Sequence, residues 1–389
     1  MATVIYVLLV CIALASPAAA QTSRADEIAR RQAEKAKALS QEGPSEMERV
    51  VRRVLLSPLL SGGDGAYPWF GSVFGGTGMG FGAGFFKRLE NAASVNLQAG
   101  MSINNSKALR AAFNPPELWR GMLRVDVSGQ WLEARDVAFY GYGPESEEQA
   151  LERFDFSPKE FRTSVTVRPR RVVSMTGTYS FMNFDTQRET PHFSAAEAPG
   201  LDEELNFHVT RGTIAIDTRP AAAYSTRGGY LRASVERNQE ARGLPYSFTA
   251  QEYEAAHQVP LVREQFVLAA RALLTLTTPD SGDAVPVMLA PYLGSGSTLR
   301  GYANRRFADQ NRALMTGEYR WRPSRYLDMA LFVDAGQVAP DRHDFHFNEF
   351  EIGWGIGARF HGPTFNALRV ELAHGREGFR LIFAGSQPF

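Results

Sequence analysis

Cysteine is almost missing: this chain of 389 residues holds one, Cys11. It lies in an apolar N-terminal run that processing would remove, so disulfides, thiol catalysis and cysteine-based metal sites are excluded for the mature chain. Net charge is missing as well, with 42 Lys and Arg against 42 Asp and Glu, which leaves no basic field for nucleic-acid binding. The sequence has no GxSxG elbow, no HExxH pair and no P-loop, so an enzymatic or cofactor-dependent reading has nothing to stand on. Beyond residue 20 no apolar run reaches the length of a membrane-spanning helix. Membrane insertion, if any, must then be by strands closed into a barrel.

Glycine and phenylalanine, by contrast, are plentiful at 35 and 26 residues, a mix that suits sheets with tight turns and aromatic anchors. Residues 1–20, MATVIYVLLVCIALASPAAA, have the apolar core and small Ala-x-Ala end of a secretory signal peptide, although no positive charge precedes the core. Residues 21–62 read as a short helical segment in the periplasm or in a lumen. Within it Ala25–Leu39 is rich in helix formers, Pro44 ends the run, and Ser45 with Glu48 has capping-box spacing before VVRRVLL. A solvated tail or linker is the plainer reading of these helices; a lumen plug is the other. Residues 63–389 read as one barrel domain.

Within that domain the alternation is explicit. Leu123, Val125, Val127 and Trp131 oppose Arg124, Asp126, Ser128 and Gln130; Phe161, Val165 and Val167 oppose Arg162, Ser164 and Thr166; Val173, Met175, Tyr179 and Phe181 oppose Ser174, Thr176, Thr178 and Ser180. A soluble sandwich alternates too, and what separates the cases is length, because tilted membrane strands of about 9–11 residues exceed the usual five or six. Long polar connections, such as the one that opens at Phe139–Gly143 and the one over Asp185–Leu205, alternate with short turns, as in outer-membrane barrels. The pattern predicts strands near 67–75, 78–88, 92–103, 107–114, 119–139, 161–169, 172–186, 206–218, 227–239, 247–259 and 264–278. After a long loop come five more, near 313–323, 327–338, 350–361, 365–376 and 378–389. The total is about sixteen, an even number as single-chain bacterial barrels require.

Tyr67, Trp69 and Phe70 are candidates for the first interfacial aromatics. The glycines of GGTGMGFGAGFF contain a GxGxxG-like spacing, but their period of two leaves one bare strand face, and no helix or acidic partner follows as a dinucleotide site needs. Gly78, Gly80, Gly82 and Gly84 fit either weakly held early strands or a lumen that needs space. The histidine-bearing loop Asp341–His346 has donors for a metal, and a solvated loop is its simpler reading.

The stretch most suggestive of function is Leu293–Tyr302, LGSGSTLRGY, with the two strands after it. Glu318 shares the polar face of ALMTGEYRWRP with Leu314, Thr316 and Arg320, and Asp334 lies opposite Met329, Leu331 and Val333 in LDMALFVDAGQV. An arginine on a Gly/Ser-rich loop, with two acids on inward strand faces, forms a charge-assisted cluster that pins the loop inside a barrel. On this ordered set the chain resembles the BamA/TamA family of outer-membrane assembly barrels (the bacterial surface antigen type). Arg300, Gly301 and Tyr302 match that family's lumenal loop tripeptide; Glu318 matches its inward acid; Phe332, Asp334 and Gly336 match its Phe-x-Asp-x-Gly strand; Phe389 matches its aromatic C-terminal barrel signal. Asp217, Arg219, Gly228 and Gly229 resemble its DxR…GG turn, and equally an ordinary hairpin.

The resemblance implies a transmembrane antiparallel β-barrel in the bacterial outer membrane, in contact with lipid, that inserts or translocates client polypeptides without hydrolysis. Relatives carry periplasmic POTRA modules ahead of the barrel, whereas residues 21–62 are too few for one. A passive pore or structural barrel without client handling is the alternative.

Overall fold

The computed structural model describes residues 63–188, 192–262, 264–324, 326–361, 366–385 and 389, and the signal-like and helical stretches expected over 1–62 lie outside them. From Gly65 the regular secondary structure is almost wholly strand: β1 (Gly65–Gly71), β2 (Gly80–Arg88), β3 (Ser94–Ser102), β4 (Lys107–Asn114), β5 (Leu123–Phe139), β6 (Glu152–Arg170), β7 (Val173–Arg188), β8 (Leu205–Asp217) and β9 (Gly228–Glu240). There follow β10 (Phe248–Val262), β11 (Phe266–Pro279), β12 (Tyr292–Leu293), β13 (Phe307–Ala308), β14 (Asn311–Ser324), β15 (Leu327–Ala339), β16 (Glu351–His361), β17 (Asn366–Gly375) and β18 (Gly378–Ala384). β12 and β13 form a small hairpin inside the connection from β11 to β14, and the other sixteen strands lie in sequence order in one antiparallel sheet. The result is an all-β, sixteen-stranded, nearly closed barrel.

Alternation decides which way each side chain faces. Outward stand Phe161, Val165, Met175, Tyr179, Phe181, Ile214, Leu231, Leu331, Val333, Trp354 and Phe379, all exposed. So large an apolar surface is stable against lipid and a liability against water. Inward, neighbouring strands pair polar groups, as in the hydroxyls of Ser164 and Thr178 and of Thr166 and Thr176, each pair 3.0 Å apart.

β5, β6 and β7 run 17, 19 and 16 residues, well past the roughly 9–11 that a tilted strand needs to cross a bilayer. The surplus projects at the end that carries the long loops, and there the pattern inverts. Phe139, Phe154, Phe156, Phe184, Phe207 and Phe248 face inward and pack with Val285, Val287 and Met288 of the β11–β14 connection. This inversion explains a difference from the sequence reading, in which Glu152–Glu160 belonged to a polar loop. The stretch continues β6 with Phe154 and Phe156 buried and Arg153 exposed, which is the polarity of a soluble strand.

Two further differences arise at the ends of the sheet. β18 stops at Ala384 instead of reaching Phe389. The Phe389 ring lies 5.1 Å from the Arg320 guanidinium and 6.0 Å from that of Arg271, inward-facing cations that attract an aromatic face. At the other end only Phe70 of the expected interfacial aromatics faces outward, at 69% exposure. Tyr67 and Trp69 turn into the lumen and lie on the glycine face of β2 and β3: a methyl group on Gly84 would overlap the Tyr67 ring, and one on Gly100 would stand 2.6 Å from that of Trp69. Between the two readings of the glycine run, lumenal space is what these rings use.

Candidate functional site in the barrel lumen

The connection from β11 to β14 does not project outward; it folds into the barrel. Its base is the β12–β13 hairpin, where the Arg305 N–H donates to the Gly294 carbonyl at 2.8 Å. Leu293, Leu299, Tyr302 and Phe307 pack with Leu273, Leu314 and Val338 of the wall, which removes the loop's apolar side chains from water. At Gly301 the backbone has φ +95° and a side chain would meet the Gly375 nitrogen at 2.7 Å, so only glycine fits. Gly353 on β16 is equally constrained, because its missing side chain is replaced by the backbone oxygen of Arg300. Tyr302 donates its hydroxyl to Glu351 at 2.7 Å.

Arg300 is thereby held at 1% exposure. Its guanidinium donates to Asp334 through Nε at 2.7 Å and Nη2 at 2.8 Å, and its backbone N–H adds a third bond at 3.1 Å. Nη1 donates to Glu318 at 2.8 Å and to Glu371 at 3.2 Å. The Phe332 ring lies 3.5 Å from the guanidinium carbon, which is a cation–π contact. Gly336, the last residue of that strand motif, leaves room for Leu293, whose Cδ1 is 2.8 Å from where a Cβ would stand.

The cluster is larger than the three residues expected. Arg359 on β16 donates to Glu318 at 2.7 and 2.9 Å and to Glu371 at 3.0 Å. Arg320 adds a bond to Glu318 at 2.7 Å. Arg369 bonds Glu371 at 2.7 Å and, from the same guanidinium, the Gly296 carbonyl of the loop at 2.7 Å. Four arginines thus surround three carboxylates, all buried. Removing Arg300 would therefore not leave two bare acids, as Arg300, Glu318 and Asp334 taken alone suggest. Glu318 and Glu371 keep other cations, while among the described residues Asp334 has no cation but Arg300. Arg320 lies on the polar face that the sequence shows for Glu318, while Arg359, Arg369 and Glu371 sit on inward positions of alternating strands, and that parity is the signal that could have found them.

The loop reaches both ends of the sheet. Gly296 lies against Ile382 of β18, and Asn304 lies against Gly75 and Gly76 between β1 and β2. Arg306 bonds Glu377 in the β17–β18 turn at 2.6 Å and Ser146 at 2.6 and 2.9 Å. Between these ends, β1 is hydrogen-bonded only to β2 and β18 only to β17 among the described residues. His343 and His346 donate their backbone N–H groups to Asp341 and Gln337, and the described residues gather no group of three metal-ligating side chains.

No curated protein matches the sequence. Among solved structures the barrel is similar to BamA from Haemophilus ducreyi lacking POTRA domains 1–3, with a TM-score of 0.61 at 13% identity over 82% of this chain and 70% of that one. It is also similar to CdiB from Escherichia coli (TM-score 0.57, 12% identity, 82% of this chain and 61% of that one) and to CdiB from Acinetobacter baumannii (0.53, 11%, 82% and 58%). Identities this low show the shared fold. The Omp85 superfamily domain matches residues 75–377, from the β1–β2 connection to the β17–β18 turn, which takes in the whole in-folded loop and its charge cluster. By that match the chain belongs to the Omp85 superfamily.

Proposed function

We propose that this barrel inserts or passes polypeptides at the bacterial outer membrane, without hydrolysis, and that it does so at the seam between β1 and β18. The observation that carries this reading is the outer edge of β1 and of β18, strands of seven residues each, which among the described residues pairs with no further strand. A bare strand edge offers a row of N–H and C=O groups to any chain that can add a strand, so an extended client is the natural occupant. Pro68 within β1 is in keeping with an edge, since proline is tolerated there and not in a central strand. The in-folded loop, pinned by Arg300, Gly301 and Tyr302 to Glu318, Asp334 and Glu351, touches both hairpins that flank the seam and holds them in register. At the loop end the aromatic cluster of β5–β8 and β10 packs with Val285, Val287 and Met288 of the same connection.

The test is depletion of the protein in its native host followed by quantitative outer-membrane proteomics. Loss of a defined set of other barrels or surface proteins supports the proposal. An unchanged membrane proteome overturns it and favours a structural barrel.

A further inference from the structure

The opposite end of the lumen carries a feature that polypeptide handling at the seam does not use. Mostly short turns join the strands there, and among the described residues the longest connection is the ten residues from Thr218 to Arg227 between β8 and β9, against eight from Pro115 to Met122 between β4 and β5. The base of this connection is rigid. Arg219 bonds Asp217 through its side chain at 2.8 and 3.1 Å and through its backbone at 2.9 Å, and its guanidinium lies 4.1 Å from the Tyr230 ring. The Thr218 hydroxyl donates to the Gly229 carbonyl at 3.0 Å and accepts from the Gly229 N–H at 3.0 Å. Gly228 takes φ +83°, and a side chain there would stand 2.6 Å from the Thr218 carbonyl oxygen.

The tip goes elsewhere. Tyr224 is 7% exposed, and its hydroxyl donates to Asp328 on β15 at 2.8 Å. Its ring stacks on His361 of β16, with centroids 4.0 Å apart and planes at 14°. Arg322 of β14 bonds both the Tyr224 hydroxyl and, at 3.2 Å, the Asp328 carboxylate. His361 Nε2 is itself 3.2 Å from that carboxylate. Asp328, Arg322 and His361 occupy inward positions, continuing the faces of Ala330, Arg320 and Arg359. β16 stands five strands away from β9 in the sheet, about 24 Å along the wall at the usual strand spacing. A tip that reaches it has to cross the barrel's interior.

We propose that residues 218–227 form a gate across the short-turn end of the lumen, latched by Tyr224 onto Asp328, His361 and Arg322. The clamped base confines motion to the tip. A single side chain then decides whether the lumen opens at that end, because the contacts that hold the tip to β14, β15 and β16 converge on Tyr224.

The test is single-channel recording of the purified full-length protein in planar bilayers. Tyr224→Ala removes the stack and both hydroxyl bonds, and a several-fold increase in open events or conductance is expected. Tyr224→Phe keeps the stack and loses the hydroxyl bonds, so its opening should fall between wild type and Tyr224→Ala. Heat-modifiability in gels reports whether each variant is a folded barrel, and if Tyr224→Ala does not fold, Tyr224→Phe decides alone. Wild-type conductance in every folded variant would overturn the gate. The measurement needs no client chain, so it stands or falls independently of the proposed polypeptide handling.

Discussion

Arg300 and Asp334 meet through three hydrogen bonds, two from the guanidinium and one from the backbone N–H, and no other cation among the described residues reaches Asp334. Breaking a buried pair on one side leaves an uncompensated charge, at a cost of about 3 kcal/mol or more. Arg300→Ala should therefore lower the yield of folded barrel and the temperature at which heat-modifiability is lost. Adding Asp334→Asn should restore part of the loss. Adding Glu318→Gln should not, because it takes the partner from Arg359 and Arg320. Equal effects of the two second-site changes, read by gel shift against temperature, would show that Arg300 serves the acids alike and that the pairing described here is wrong.

The asymmetry of those two acids marks the limit of what the sequence makes legible. Alternation gave every barrel strand a counterpart, since inward and outward differ in polarity by the same rule throughout the bilayer. Where β6 leaves that bilayer the rule inverts, and Phe154 and Phe156 then read as part of a polar loop. The RGY motif brings Arg300 to Glu318 and Asp334 because motif and strand parity agree. Arg359, Arg369 and Glu371 have the same parity but no motif. Which inward charges converge depends on strand tilt and stagger, and neither is written in any one strand. Tyr67 and Trp69 differ from the sequence expectation for a related reason: a bare glycine floor on β2 and β3, and no feature of β1 itself, turns them inward.

Gly353 offers a way to undock the loop without touching a charge. Any Cβ there would collide with the backbone oxygen of Arg300, and backbone has little freedom to move aside in so crowded a lumen. Gly353→Ala should expose residues 294–306 to protease in detergent-solubilised barrel while the sheet stays folded. Gly177→Ala, at a position with open space around it, is the control. Identical digestion patterns for the two variants would show that the loop is not held by this contact.

The first hairpin tests the aromatic floor. Trp69 covers Gly100 and lies 3.4 Å from the position of a Cβ on Gly80, and Tyr67 bridges Asn96 and Gln98 with hydrogen bonds of 2.7 and 2.8 Å. Glycine strands have no side chains of their own to pack, so these rings hold β1 to its neighbours. Trp69→Ala should accelerate hydrogen exchange across β1 and β2, and Phe70→Ala, on the outward face, should change it far less. A larger effect from Phe70 would place the stabilisation of this edge in lipid contact.

The docking of the β11–β14 connection should weaken as pH rises, against the usual trend for a carboxylate. Asp309, just before β14, is 5% exposed. Burial, with a smaller contribution from Asp344, pushes its carboxyl up from 3.8 to about 6, although the Gln310 N–H donates to it at 2.8 Å. A folded value above the unfolded one means that the folded loop holds a proton that the unfolded chain has already released between pH 3.8 and about 6. The resulting stabilisation is complete below the unfolded value and is lost as pH climbs through the folded one. Hydrogen-exchange protection factors over residues 280–310 should accordingly fall as pH climbs from 3.8 to about 6 and level off above that value. Asp309→Asn, neutral at every pH, should flatten that dependence. A fall of the same size in the Asn variant would assign the pH response to another group.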